Sequence, residues 1–432
     1  MSRFRWSVAP SGVTQEQKQN FINVQIDAAG VGLAGAAATF LPIFLTRLGA
    51  TNLQVGLLSS MPAVTGLVLA ILDGRFLQAQ RNIVPWFSIA RLMVISAYAL
   101  TGILPWIIPD KYLVNGVLLI WAIVTLPQTI LIVSFSVVMN AVAGPKHRYD
   151  LLSRRWSILG VVIALSVALA GQALVRIIFP LNYQLVFIVF SLGGLISFYF
   201  SRRIKLPDTD APPLEVGKSL RQQTKGYIKL VRGQPDFIRF SVQRFVYLFG
   251  ITLAIPLFPL YYVRVVEAND AWIGTINTAS SAVLLFGYFL WTRGSKLRGS
   301  RFVLLWTTFG LAVYPALTAV TTQVQLIVVF AGLAGIFQAG LDLVFFDELM
   351  KTVPAQYSAT FVSLSQSLQH LSAIFAPLLG TLLAGYMGLS VALLVAAGIR
   401  FIGFGLFAFW QARPAPQASL DSASVPVSRE ES

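Results

Sequence analysis

The chain repeats itself at half its length, inside a sequence apolar enough for a membrane. Residues 40–56 read FLPIFLTRLGATNLQVG and residues 257–274 read LFPLYYVRVVEANDAWIG. Pro42 pairs with Pro259, Phe44 with Tyr261 and Arg47 with Arg264 at one offset (259 − 42 = 217). Gly56 then pairs with Gly274 after a one-residue insertion (274 − 56 = 218). Half of 432 residues is 216, so the chain reads as two copies of one unit.

Only 11% of the residues are charged and 56% are hydrophobic, with a mean hydropathy of +0.73. A soluble domain carries about 25% charged residues, so much of this surface must face lipid. The chain has no cysteine, which excludes disulfides, thiolate metal sites and thiol catalysis. His147 and His370 are the only histidines, too few for a histidine metal site. The polar segment up to Asn20, with Arg3 and Arg5, lacks the pattern of a cleaved signal peptide, so the first span is expected to be retained.

A membrane helix needs about 20 apolar residues. Twelve candidates meet this, near 20–46, 53–73, 84–108, 112–140, 156–179 and 182–200, then 237–263, 271–291, 301–320, 324–346, 359–387 and 389–410. The expected organisation is a six-helix bundle over 1–200, a basic cytoplasmic linker over 201–236, a second bundle over 237–412 and a disordered tail over 413–432. With the N-terminus inside, the inner loops hold Arg75, Arg81, Lys146, Arg148, Arg154, Arg155, Arg293, Lys296, Arg298, Arg301 and Lys351. The linker adds eight more basic residues between Arg202 and Arg232, while the outer loops hold only Arg47, Lys111, Arg176 and Arg264. This alternation follows the positive-inside rule and places both termini in the cytoplasm. It also accounts for the net charge of +15 without a nucleic-acid partner. Gly66, Ala70 and Gly74, and Ala331, Gly335 and Ala339, are small residues at four-residue spacing, which lets helix backbones approach closely.

Two six-helix bundles with both termini inside resemble the major facilitator superfamily. That family carries a basic motif after helix 2, repeated after helix 8, of the form Gly-x-x-x-Asp-Arg-x-Gly-Arg-Lys. Here the first copy reads Gly74-Arg75-Phe76-Leu77-Gln78-Ala79-Gln80-Arg81, with Gln78 and Ala79 where the family has Asp and Arg. The second copy keeps Gly287, Trp291, Gly294 and Lys296 in partial form. The resemblance implies an inner gate at Gly74, Arg75 and Arg81, with Asp73 the candidate replacement for the missing acidic latch. Helix 4 lacks the Arg of many proton-coupled exporters, and helix 5 lacks the Gly-Pro motif of antiporters. Ala376-Pro377-Leu378-Leu379-Gly380 in helix 11 looks like a relic of such a motif.

Charges inside a membrane are costly and mark candidate sites. Asp27 and Arg244 occupy equivalent repeat positions (244 − 27 = 217). The expectation is an ion pair between the bundles, or a site for opposite ends of a charged substrate, with protonation of Asp27 coupling transport to a proton. A static structural pair is the alternative. Asn20 and Asn23 extend the polar patch, and Tyr247 stands one turn beyond Arg244. Helix 4 offers Thr125, Gln128, Thr129, Ser136 and Asn140. Helix 10 offers Gly335, Gln338 and Asp342, with Gln338 equivalent to Gln128 (338 − 128 = 210). The resemblance puts both helices beside a central cavity, where these amides would suit a polar ligand; otherwise they bond helix to helix. Ser363, Gln366, Ser367 and His370 line one face of helix 11, and His370 is a candidate proton carrier or a core residue. Arg91 is read as snorkelling to the headgroups, Arg400 has no evident partner, and Asp347 precedes Lys351 by four residues, a favourable pairing.

Gly217-Lys218-Ser219 ends like a phosphate loop, but Pro212 stands where the motif needs Gly, which disfavours an ATP-driven pump. The reading is a non-enzymatic secondary transporter of a small solute, expected to be a monomer in the bilayer of a bacterial cytoplasmic membrane, proton-coupled, with no cofactor and no metal. Its rivals are a sensor of the same fold and a polytopic membrane enzyme.

Overall fold

The computed structural model describes residues 13–78, 80–206, 232–352 and 358–410. The bulk of the basic linker and the C-terminal tail expected from sequence lie outside the described residues, as do the side chains of Asp73, Gly74 and Arg75.

Eleven helices among the described residues are long and apolar enough to cross a membrane, and Asn52–Gln78 brings the crossings to twelve. They are α1 Gln15–Arg47, α2 Asn52–Gln78, α3 Val84–Trp106, α4 Asp110–Ala143, α5 Arg154–Arg176 and α6 Leu181–Arg202, then α7 Pro235–Arg264, α8 Asp270–Arg298, α9 Ser300–Ala319, α10 Val324–Thr352, α11 Ser358–Met387 and α12 Leu389–Phe409. Among the described residues the protein is all-helical, a membrane protein of twelve helices in two six-helix bundles. Residues 206 and 232 lie on one face, called here the linker face; the other is the distal face.

Local chemistry explains the helix ends. Thr14 caps α1 by accepting from the Gln17 amide, and Asn269 caps α8 by accepting from the Trp272 amide. Arg47, Arg176, Arg264 and Arg298 stand in last turns, where a cation suits the helix dipole. Pro256 lacks an amide hydrogen, and α7 is broken between Ala254 and Leu257. The helical run from Asp110 continues to Arg176, yet it doubles back. Gln17 Nε2 donates to the Val142 carbonyl at the linker face, and Asn182 Nδ2 donates to that of Leu174 at the distal face.

Gly30 of α1 and Gly193 of α6 are needed for close approach. A Cβ on Gly30 would lie 2.6 Å from the Gly193 carbonyl oxygen. Between the bundles, α5 crosses α8 at Gly171 and Gly274, where a Cβ on Gly171 would lie 3.2 Å from Gly274 Cα.

The apolar interior is arranged by depth. In the distal half, one cluster is shared by both bundles, joining Phe40, Phe44 and Phe187 of the first to Leu257, Tyr261 and Ile273 of the second. In the linker half the core divides. Phe21, Phe87 and Val142 form one cluster in the first bundle, and Phe237, Phe345 and Phe407 belong to another in the second. Among the described residues, the cluster common to both bundles lies in the distal half.

Candidate functional site

Inside the first bundle, Asp27 is fully buried. Ser197 of α6 donates to Asp27 Oδ1 at 2.5 Å, while Arg155 of α5 and Arg91 of α3 approach Oδ2 at 3.5 and 3.8 Å. Each guanidinium also lies over a ring: Arg155 over Phe135 at 4.6 Å and Arg91 over Phe87 at 4.9 Å. This is the expected fate of a buried charge, which must take the nearest opposite partner. The pair expected between Asp27 and Arg244 is therefore not formed, because α3 and α5 supply two cations from within the same bundle. Arg91 does not snorkel to the headgroups, and Arg155, read as a loop residue, is buried beside Asp27. Asn23 and Asn20 do not face a cavity with it. Their side-chain amides donate to the carbonyls of Arg203 and Lys205, tying α1 to the end of α6.

In the second bundle, Arg244 of α7 donates to Ser365 Oγ and, at 3.1 Å, to Gln369 Oε1 of α11, and lies over the Phe345 ring at 5.7 Å. These polar partners are neutral. Arg244 Nε and Ser241 Oγ are buried without a hydrogen-bond partner. Beside them, α7 and α11 line an open apolar cleft of about 340 Å³. Tyr247, expected to line the same cavity, is instead fully buried. Its hydroxyl donates to the Thr308 carbonyl at 2.7 Å and its ring packs on Phe345 and Phe407. Arg400, which had no partner in the sequence, donates to the carbonyls of Gly250 and Leu311 at 3.2 and 2.9 Å.

Asp342 of α10 is exposed, accepting from Gln338 Nε2 at 2.8 Å and from the Tyr288 hydroxyl at 3.2 Å. Leu333, nine residues earlier, is exposed on the opposite side of the helix, two and a half turns of 3.6 residues away. Leu333 and Val329 present an apolar surface, and Asp342 lies on the other side of the helix, one turn from the exposed Phe346. Gln128 is partly buried on α4, near Thr125, which accepts from Thr65 of α2 at 2.7 Å. His370 of α11 packs on Gly66 of α2, across the bundle interface. Near the linker face, Lys351 pairs with Asp347 at 2.7 Å, as the four-residue spacing predicts, and Arg81 is exposed.

At the distal face, the duplicated segment holds the bundles together. Arg47 Nε donates to Asp270 Oδ1 at 2.8 Å and Arg47 Nη2 donates to the Ala268 carbonyl at 2.9 Å. Its repeat mate Arg264 donates to Asn52 Oδ1 and to the Ala50 carbonyl. The acceptors are themselves repeat mates (268 − 50 = 218 and 270 − 52 = 218). Each bundle thus clasps the same element of the other, and Tyr183 reinforces one side by donating to Asp270 Oδ1 at 2.8 Å. Sequence reading paired Arg47 with Arg264 as repeat mates and placed both in outer loops, but assigned neither a partner. The signal for the clasp was the repeat and its insertion, which shifts the acceptors one residue relative to the arginines.

Two pseudo-symmetric helical bundles, joined by reciprocal contacts at the distal face, define the fold. A family model described as Major Facilitator Superfamily matches residues 240–430. The fold of the whole chain is similar to three solved transporters. A point mutant of the nucleoside transporter NupG is 10% identical, with a TM-score of 0.70 over 90% of this chain and 99% of that one. A bacterial homologue of the iron transporter ferroportin, in an inward-facing state, is 14% identical with a TM-score of 0.69, covering 92% and 99%. A bacterial homologue of the human lysosomal transporter Spinster, inward-facing and unoccupied, is 14% identical with a TM-score of 0.67, covering 94% and 100%. No curated protein matches the sequence. The second half of the chain thus matches the major facilitator superfamily, the whole chain shares the fold of these solved structures, and the protein is an integral, multi-pass membrane protein.

Proposed function

We propose that this protein is a secondary active transporter of a small solute. It works by alternating access, with the linker face cytoplasmic and the distal face outside, in a bacterial cytoplasmic membrane. The observation that carries the reading is the arrangement of the apolar core among the described residues: one cluster common to both bundles in the distal half, and one cluster within each bundle in the linker half. A chain that only bridged the membrane would need no such asymmetry. A rocking pair of bundles has it in each end state. Two of the similar folds, the ferroportin and Spinster homologues, are themselves inward-facing.

Asp342 is the proposed coupling carboxylate, in preference to Asp27. A proton must reach its acceptor from water. Asp342 is exposed and Asp27 is sealed between Arg91, Arg155 and Ser197. The test is transport in proteoliposomes with an imposed proton gradient, using a panel of sugars, amino acids, nucleosides and organic ions. Asp342→Asn is expected to abolish gradient-driven accumulation while keeping substrate exchange at equal concentrations. Full gradient-driven accumulation by that variant would overturn the coupling role. No transport of any panel member by well-folded wild type would favour the sensor reading.

A further inference from the structure

The cleft beside Arg244 has the chemistry of a binding site for an amphiphilic anion. Its wall is apolar, formed by Phe237, Ile238, Val242 and Phe245 of α7 with Leu368 and Leu371 of α11. Its volume of about 340 Å³ falls at the small end of the range for small-molecule sites, about 300–1,000 Å³. That admits one short chain or ring and not the two chains of a diacyl lipid. Ile238 and Val242 are exposed at the rim, so the cleft is open.

A polar end adjoins the apolar one. Ser241, Phe245 and Leu368 line both the cleft and a second, narrow space bounded by Arg244, Ser365 and Gln369. This space is about 10 Å³, room for one water-sized group. Two polar atoms there are unsatisfied. Ser241 Oγ has no partner although the residue is only 7% exposed, and Arg244 Nε has none either. A buried polar atom without a partner costs about 1–3 kcal/mol, so native structures leave few of them.

Charge selects the ligand. Among the described residues Arg244 has no carboxylate within ion-pair distance, and its polar partners are a hydroxyl and an amide. Its repeat mate Asp27, by contrast, is flanked by two cations. An unneutralised guanidinium at the end of an apolar cleft is complementary to a carboxylate on an apolar body. A guanidinium N–H donates a charge-assisted hydrogen bond to a carboxylate oxygen, and Nε of Arg244 is free to do so.

We propose that this cleft binds a medium-chain monoanionic amphiphile. One carboxylate oxygen enters the narrow space to meet Arg244 Nε and Ser241 Oγ, and the rest of the molecule lies in the cleft between α7 and α11. The proposal names the substrate class of the transporter and rests on that reading only for translocation; binding itself is separable. The test uses full-length protein in phosphatidylcholine nanodiscs, titrated with radiolabelled decanoate and, in parallel, decanol. Wild type is expected to bind decanoate saturably and at least about tenfold tighter than decanol. Arg244→Gln should weaken decanoate about tenfold or more and leave decanol unchanged. Arg244→Lys should recover part of the loss. Val242→Trp, at the exposed rim, should weaken both ligands while keeping Arg244 in place. The proposal is overturned if wild type shows no saturable decanoate binding, or if both Arg244 variants match wild type. Replacing a fifth of the lipid by phosphatidylglycerol separates sources of the anion. Unchanged decanoate affinity supports a soluble amphiphile, and competitive loss would overturn that assignment in favour of a lipid headgroup. If decanoate binds through Arg244 but does not exchange across proteoliposomes, the binding site stands and the transport reading fails.

Discussion

At the scale of single residues, the buried charges are the most informative. Asp27 is enclosed by Arg91 and Arg155, so the cluster carries one more positive charge than negative. Removing the carboxylate would leave two guanidinium groups facing each other with no counter-charge in a low-dielectric interior. Removing Arg91 leaves a balanced pair with Arg155. Breaking a buried pair costs about 3–5 kcal/mol when it strands an uncompensated charge. Asp27→Asn is therefore expected to lower thermal stability by several degrees in detergent, and Arg91→Gln by distinctly less. A larger loss from Arg91→Gln than from Asp27→Asn would show that the arginine, and not charge balance, holds the cluster.

At the scale of helices, packing depends on where a side chain is absent. A Cβ on Gly193 would lie 2.8 Å from Leu33 Cβ and closer still to the Gly30 carbonyl oxygen, whereas a Cβ on Gly332 would meet Val283 at an ordinary 3.9 Å. Gly193→Ala should destabilise by about 1–3 kcal/mol through overpacking. Gly332→Ala should be neutral or gain up to about 1 kcal/mol from helix propensity. Thermal unfolding followed by size-exclusion chromatography distinguishes them, and equal behaviour would remove the close-approach argument. The crossings were legible in the sequence because hydrophobic length and basic loops are properties of each segment alone. The site was less so. Equivalent positions 27 and 244 suggested a pair across the bundles, but repeat equivalence says where a residue lies on its own helix and not what the neighbouring helices bring. Arg91, Arg155 and Ser197 come from three other helices, and Ser365 and Gln369 from another, and no linear pattern connects them. Asp347 and Lys351, four residues apart on one helix, were legible for the same reason that the crossings were.

At the scale of the whole molecule, the proposed alternating access makes the two clasps at the distal face the contacts that set the balance between end states. They are built alike but not equally strong. Arg47 meets a carboxylate that is only 9% exposed and is held by Tyr183 as well. Arg264 meets the neutral amide of Asn52 at an exposed position. A charge-assisted hydrogen bond contributes about 1.5–3 kcal/mol, and an exposed ion pair about 0–1 kcal/mol. Arg47→Gln should thus shift the population away from the distal-closed state about tenfold or more, and Arg264→Gln by less. The absence of cysteine lets a pair of spin labels report this without background. Lys111→Cys and Thr322→Cys place them on opposite bundles at exposed distal positions outside the clasps. The wild type should give one short distance, with a longer one growing in Arg47→Gln. Asn52→Asp completes the symmetry by giving Arg264 the carboxylate that Arg47 already has. It should deepen the distal-closed state by up to about fivefold and slow any transport cycle that must open that face. If Asn52→Asp instead populated the longer distance, the reciprocal contacts would be a consequence of closure rather than a cause of it.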